Sequence, residues 1–278
     1  MNAAQHSVRR PVDIYIVGLG IRNVQQITRE AEQAVRLSKK VFTVDAGFGI
    51  DEFLRTLSPD VRSMLDHYEE GGDRLRTYRA MAAEVVNAAV DDSPVCFATY
   101  GHPKIYVYPS HLIEQAASLL GLTVRVLPGI SALDTIITDL SLDPGPHGLQ
   151  MYEATDLLAR ERPLQSEVPC LLWQVSAVET AMYTTKRGNA ERYRRLQDFL
   201  LRTYPADHEV TMVLSSTYAL LEPLKETFPL GELAQLLARG LQVGTLYIPP
   251  LKERPISNPD ILYDAFNAEH LERITAGS

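Results

Sequence analysis

The sequence predicts an α/β protein built as two α/β domains, and three observations carry that reading. Short apolar runs alternate with amphipathic helical segments through the first half, the order of a parallel sheet covered by helices. The first apolar run ends in a glycine turn, "VGLG". The texture changes near Pro128, and beyond the turn cluster "DPGPHG" strand-like runs dominate. The expected organisation is an N-terminal α/β domain over 12–128, a C-terminal α/β domain over 129–252 and a tail over 253–278.

Each element has its own justification. "VDIYIVGLG" is a first buried strand. Two arginines precede it, as in a secretion signal, but Asp13 interrupts the apolar run and no small-residue cleavage site follows. "NVQQITREAEQAVRLS" puts Ile27, Ala31 and Ala34/Val35 on one helical face. "KVFTVDA" is a second strand, and "RLRTYRAMAAEVVNAAV" a helix with Tyr78, Met81, Val85 and Ala89 in period. "SPVCFATY" is a third strand, "YPSHLIEQAASLLG" a helix stopped by Gly121, and "LTVRVLPG" another strand. "GISALDTIITDL" is a short helix with Ser131 as its N-cap. In the second half "LQMYEA", "VPCLLWQVS", "HEVTMVLSS" and "VGTLYIPPL" read as strands around one long helix, "NAERYRRLQDFLLRTY". The tail has weak helical periodicity and no strong apolar core.

Composition narrows the function classes. The 278 residues are 45% hydrophobic and 22% charged, an ordinary globular balance. A net charge of −8 argues against a nucleic-acid or anionic-membrane partner. No run approaches the roughly 20 apolar residues of a membrane span. Cys96 and Cys170 lie in separate apolar runs and read as core thiols of a reducing compartment, which suits a cytoplasmic protein. Internal repeats, low-complexity tracts, Cys/His metal spacing, a P-loop and a G-x-S-x-G elbow are all missing.

Three stretches carry candidate chemistry. "VGLGIRN" has the G-x-G turn of a dinucleotide site, with Asp45 where a ribose-binding acid belongs. Its third position is Asn23 rather than glycine, and a tight strand-to-helix turn explains it as well. "ATYGHPKIYVYPSH" places Tyr100, Gly101 and His102 at a strand's carboxyl end, where parallel sheets bind ligands. Gly101 permits close approach and Pro103 stiffens the loop; a structural turn with surface aromatics is the alternative. Tyr108 and His111, in the following helix, read as packing residues. In "HYEEGGDRLRTYRAM", Arg74 and Tyr78 share a helical face, with Tyr68 across a Gly-Gly bend. An arginine beside phenols lowers their pKa, so the cluster suits proton transfer or oxyanion stabilisation. The competing reading is a surface arginine stacked on a tyrosine. Glu153 and Asp156 of "YEATD" read as a helix start rather than an acid–base pair.

"VGLG", "YGHPKIYVYPSH", "VLPGISALDT" and "LLWQV" occur in the order of the SAM-dependent tetrapyrrole methylase superfamily, which the chain resembles. "DLSLDPG", "MYEATDLL", "YPADHEV" and "LYIPPLK" make it most similar to the borosin peptide α-N-methyltransferases, over most of residues 12–252. The resemblance implies a tetrapyrrole methylase-like (class III methyltransferase) fold with a cofactor cleft between the two domains. It implies catalytic roles for Tyr68, Arg74, Tyr78 and Tyr100. S-adenosylmethionine is implied as cofactor, held by Gly18, Gly20, His102, Ile105, Tyr106, Ser131, Ala132, Gln174, Thr245 and Leu246, with no metal. The chain ends at "ERITAGS" without a clasp-length helical segment or an apolar core peptide. That resembles the split type, whose substrate is a separate precursor peptide with a helical leader. The implied assembly is a homodimer, or a heterotetramer with the precursor. Two alternatives stay open: a small-molecule, tetrapyrrole-type methyltransferase, and a non-catalytic SAM- or peptide-binding module.

Overall fold

The computed structural model describes residues 11–44, 47, 49–218, 220–240 and 244–275; Asp45 lies outside them. The first sheet holds β1 (Ile14–Gly18), β2 (Lys40–Val44), β3 (Val61–Ser63), β4 (Val95–Thr99) and β5 (Val124–Leu127). All its pairings are parallel, in the order β3-β2-β4-β1-β5. Helices α1 (Arg29–Leu37), α2 (Ile50–Leu57), α3 (Arg74–Asp91) and α4 (Tyr108–Leu119) complete this half.

Residue alternation decides which helices cover which face. Val41, Cys96 and Ala98 pack with Ala31, Val35 and Leu54 of α1 and α2. Ile14, Ile16, Phe42, Val95 and Phe97 pack on the other face with Met81, Val85 and Ile113 of α3 and α4. Being covered on both sides, β4 is buried at every position. Helix α1 starts later than its periodicity suggests. Asn23–Gln26 form a 3₁₀ turn, and Thr28 caps α1 by accepting from the Ala31 N–H at 3.1 Å.

Next come α5 (Ala132–Asp139), α6 (Pro144–His147) and α7 (Ala154–Ala159), followed by α8 (Ala190–Leu200) and α9 (Leu233–Arg239). The second sheet holds β6 (Gln150–Glu153), β7 (Cys170–Trp173), β8 (Glu209–Leu214), β9 (Leu224–Pro229) and β10 (Thr245–Ile248), in the order β6-β7-β10-β8-β9. Only β6–β7 is parallel; β7–β10, β10–β8 and β8–β9 are antiparallel. Tyr193, Leu196 and Leu237 of α8 and α9 cover one face, packing on Cys170, Leu172 and Leu246. Ile136 of α5 covers the other, on Leu171, Trp173 and Val213. Strand β9 has no apolar signal of its own, being exposed except at Phe228. The "DPGPHG" cluster contains the single turn α6.

The thiols of Cys96 and Cys170 are fully buried, and burial pushes the Cys170 pKa up to about 12. Helices α10 (Pro259–Ala265) and α11 (Ala268–Ile274) form the described tail and contribute no buried residue. Among the described residues no helix is long and apolar enough to cross a membrane.

Candidate active site

A cavity of about 290 Å³ opens at the carboxyl ends of β1, β2 and β4 and reaches β7 of the second sheet. The first-sheet order explains its place. From β1 the chain moves to β2 on one side, and from β4 it crosses to β5 on the other. The loops therefore part at the β1–β4 junction, the position where open α/β sheets bind ligands.

Three glycines hold that junction together. A Cβ on Gly18 would stand 2.3 Å from the Gly101 carbonyl oxygen and 2.8 Å from the Gly129 Cα. Gly20 and Gly101 bridge through backbone bonds of 2.9 and 3.4 Å. The "GLG", "YGH" and "PGIS" turns thus use their glycines to bring three backbones into contact. Gly18 and Gly20 are buried in this contact and do not line the cavity.

Loop β4–α4 supplies Tyr100, His102, Ile105 and Tyr106 to the lining. Gly101 turns the chain with φ +68°, and Pro103 is buried beneath it. The Lys104 N–H donates to His102 Nδ1 at 3.0 Å, which leaves Nε2 as the ring's donor. Ser131 and Ala132 line the cavity from the start of α5. Ser131 is its N-cap in a full capping box: its N–H donates to Asp134 Oδ2 at 2.7 Å, and its Oγ accepts from the Asp134 N–H. Gln174 enters from the end of β7. Two lining residues that are not glycine, Tyr106 (φ 57°) and Gln174 (φ 56°), adopt the left-handed conformation, local strain of the kind that gathers at binding sites.

Tyr68 and Tyr78 also line the cavity, with ring centroids 6.3 Å apart and planes at 86°. Arg74, the first residue of α3, stands on the same helix under the Asp73 N-cap. The expected lowering of a phenol pKa by the arginine is overturned at Tyr68. Burial is the largest influence and pushes its pKa well above the ordinary range, Tyr78 adds to it, and Arg74 opposes it only in part. Arg74 itself does not line the cavity.

Two further cofactor candidates also stand off it. Leu246 points into the core under α8 and α9. Thr245 is buried on β10. Tyr108 and His111 are not packing residues: Tyr108 is 46% exposed, and their rings lie 6.0 Å apart at the surface. Glu153 is the N-cap of α7, accepting from the Asp156 N–H at 2.6 Å, as a helix start requires.

Sequence reasoning missed Trp173 and Tyr183. Trp173 packs against Tyr106, with centroids 5.5 Å apart, and lines the cavity with a buried Nε1 that has no partner. Its signal was legible, since the chain's one tryptophan closes the strand in "LLWQV". Tyr183 had none. Its ring packs against that of Tyr68, tilted by 34° with centroids 4.8 Å apart, because the segment 181–185 crosses to the Gly-Gly bend. Gly71 N–H donates to the Tyr183 carbonyl, Tyr183 N–H to Gly72 and Arg74 N–H to Ala181. Glu70 accepts from Thr184 and Thr185, bonds that hold its carboxyl below the usual range.

Two α/β layers with a ligand cavity at the β1–β4 junction define a methylase-type fold. The solved uroporphyrin-III-C-methyltransferase of Thermus thermophilus matches it with a TM-score of 0.60, covering 85% of this chain and 91% of that one at 14% identity. The family model of the tetrapyrrole (corrin/porphyrin) methylases matches residues 13–229, and the chain belongs to that family. Within it the chain is 31% identical over 255 residues to the methyltransferase/ribosomally synthesized cyclic peptide dendrothelin A precursor of Dendrothele bispora, covering 91% of this chain and 61% of that protein. It is 31% identical over 239 residues to a methyltransferase/ribosomally synthesized type I borosin cyclic peptide precursor of Coprinopsis marcescibilis, covering 84% and 61%. The chain thus spans about three fifths of the length of these curated relatives.

Proposed function

We propose that this protein is a SAM-dependent methyltransferase acting on backbone amide nitrogens of a peptide. One observation carries the reading: Tyr68, Tyr78 and Tyr100 line a single cavity with His102, Ser131 and Gln174. The relatives, described as methyltransferases joined to cyclic-peptide precursors, supply the substrate class. Among the described residues the lining contains no Lys or Arg, so these offer no counter-charge to the carboxylates of a tetrapyrrole.

The residues present fit S-adenosylmethionine. The buried, unpartnered Nε1 of Trp173 gives a donor to a ligand, and the Tyr106, Tyr100 and Trp173 rings suit a cation and a flat base. His102, Ile105, Tyr106, Ser131, Ala132 and Gln174 are the residues that would hold it. When bound, it supplies an electrophilic methyl group on a sulfonium.

The protein's task is to make an amide nitrogen nucleophilic. The nitrogen lone pair is delocalised into the carbonyl, so charge must build on the oxygen as the N–H proton leaves. Tyr68, kept neutral by burial, is suited to donate its O–H to that oxygen. Tyr78 Oη, on the same helix as Arg74, is the proton acceptor we assign, taking the N–H proton as its own phenolic proton passes to water, and Tyr100 orients the amide. Walls drawn from both sheets would hold the reacting atoms near one another.

We also propose that the substrate arrives as a separate precursor chain through a helical leader, and that the protein works as a homodimer, or a heterotetramer with the precursor. Among the described residues none beyond Gln174 lines the cavity. Ile261, Tyr263, Phe266 and Ile274 of the tail helices leave apolar surface for an assembly.

Calorimetry should show stoichiometric binding of S-adenosylmethionine. Mass spectrometry after incubation with a pooled library of synthetic peptides, blocked at both ends and supplied as separate molecules, should show CH₂ increments on backbone nitrogens. Methyl groups on side chains, or none at all, would overturn the amide reading. Sedimentation of the full chain reads the assembly, and a strictly monomeric active protein rules out the dimer.

A further inference from the structure

We propose that a second cavity, lined by Lys104, Tyr108 and His111, is the subsite for the substrate side chain beside the methylated amide, and that it selects an apolar or aromatic one. This rests on the peptide reading above. The cavity measures about 420 Å³ and adjoins the first, sharing Tyr78, Tyr106, Val107 and Gln174 as a common wall. Among the four candidate catalytic residues, only Tyr78 faces both. Two reactants that meet at one phenol are accommodated when each has its own side of that phenol. The first cavity carries the unpartnered indole donor and the capped α5 start, features suited to the cofactor. The amide must reach the first cavity to meet Tyr68 and Tyr100, so the second, framed by the surface of α4, is left for the side chain beside it.

The chemistry of its walls sets the selectivity. Tyr78, Tyr108 and His111 form a row of rings, with successive centroids 6.3 and 6.0 Å apart. Tyr108 is the first residue of α4 and stays half-exposed, so its ring offers a face to an incoming group. Val107 adds apolar surface. The Lys104 ammonium is paired with Glu114, and His111 Nε2 is hydrogen-bonded to Gln115 at 3.0 Å. A substrate carboxylate therefore gains no unpaired cation here, whereas a flat or branched apolar side chain gains ring contact and loses water.

The test uses a library peptide that the wild-type protein methylates, resynthesised with Phe, Leu, Gly or Asp at the residue before the methylated nitrogen. Wild type should favour Phe and Leu over Gly and Asp by roughly tenfold in kcat/KM, the scale of a small apolar subsite. Tyr108→Ala and, independently, His111→Ala should erase that preference through KM, with S-adenosylmethionine affinity unchanged. Tyr108→Phe should keep it. An unaltered preference in both alanine variants overturns the subsite and leaves the peptide reading standing. A wild-type protein that binds S-adenosylmethionine yet methylates no peptide overturns both.

Discussion

At the scale of residues, the Tyr68–Tyr78 pair has its chemistry divided by environment. Burial keeps Tyr68 protonated, while Tyr78 faces both cavities. Tyr78→Phe removes only the hydroxyl, and Arg74→Ala removes the nearby guanidinium with its alkyl stem. Each variant should fold and bind S-adenosylmethionine while turnover falls by about 10²-fold, the scale of losing an acid–base or oxyanion group. Turnover near wild type in both, measured by methyl incorporation, makes the cluster structural. Arg74 was legible from its i, i+4 spacing to Tyr78, but its effect on Tyr68 was not. Burial outweighs the guanidinium there, and burial is a property of the packed molecule.

At the scale of elements, the strand-end turns work as one unit. Gly18, Gly101 and Gly129 come from three separate loops and meet within backbone contact. Gly18→Ala places a methyl against the Gly101 carbonyl oxygen, with no flexible side chain to yield. The cost should be about 1–3 kcal/mol, read as a lower urea midpoint. Ser131→Ala removes the α5 cap and should cost about 1 kcal/mol. A Gly18→Ala midpoint equal to wild type shows that the junction relaxes freely. The caps at Asp73 and Ser131 stand at the helix starts the sequence reading gave, whereas the Thr28 cap corrects it. Periodicity located α1 in general, but the Thr28 hydrogen bond chose its first turn.

At the scale of the whole molecule, buried thiols and phenols couple stability to alkaline pH. Burial raises Cys96, Cys170 and Tyr204 above their ordinary values of 9.0 and 10.0. Above pH 9 the unfolded chain gives up these protons and the folded one keeps them, so the unfolded state binds fewer and stability falls as pH rises. Below the ordinary values both states are protonated and the contribution is fully present. Urea midpoints should therefore be level with respect to these groups around neutrality and drop progressively above pH 9. A midpoint unchanged to about pH 11 contradicts the burial of these groups.

The sequence by itself determined the first half of the fold, apart from α2 and the short strand β3, and the identity of most cavity residues. Alternating apolar strands and periodic helices are local patterns, and "YGHP" and "PGISA" sit where such strands end. It left β9 unread, because an exposed edge strand such as "LKETFP" carries no apolar alternation. It also named Gly18, Gly20 and Leu246 for the cofactor; in the fold Gly18 and Gly20 make close backbone contact at the strand-end junction, and Leu246 packs under α8 and α9. Only the tertiary structure decided that Trp173 lines the same cavity as Tyr100, that Tyr183 packs against Tyr68, and that Tyr108 stands on the surface. Those facts depend on contacts between residues up to 115 positions apart, which no local period or spacing encodes.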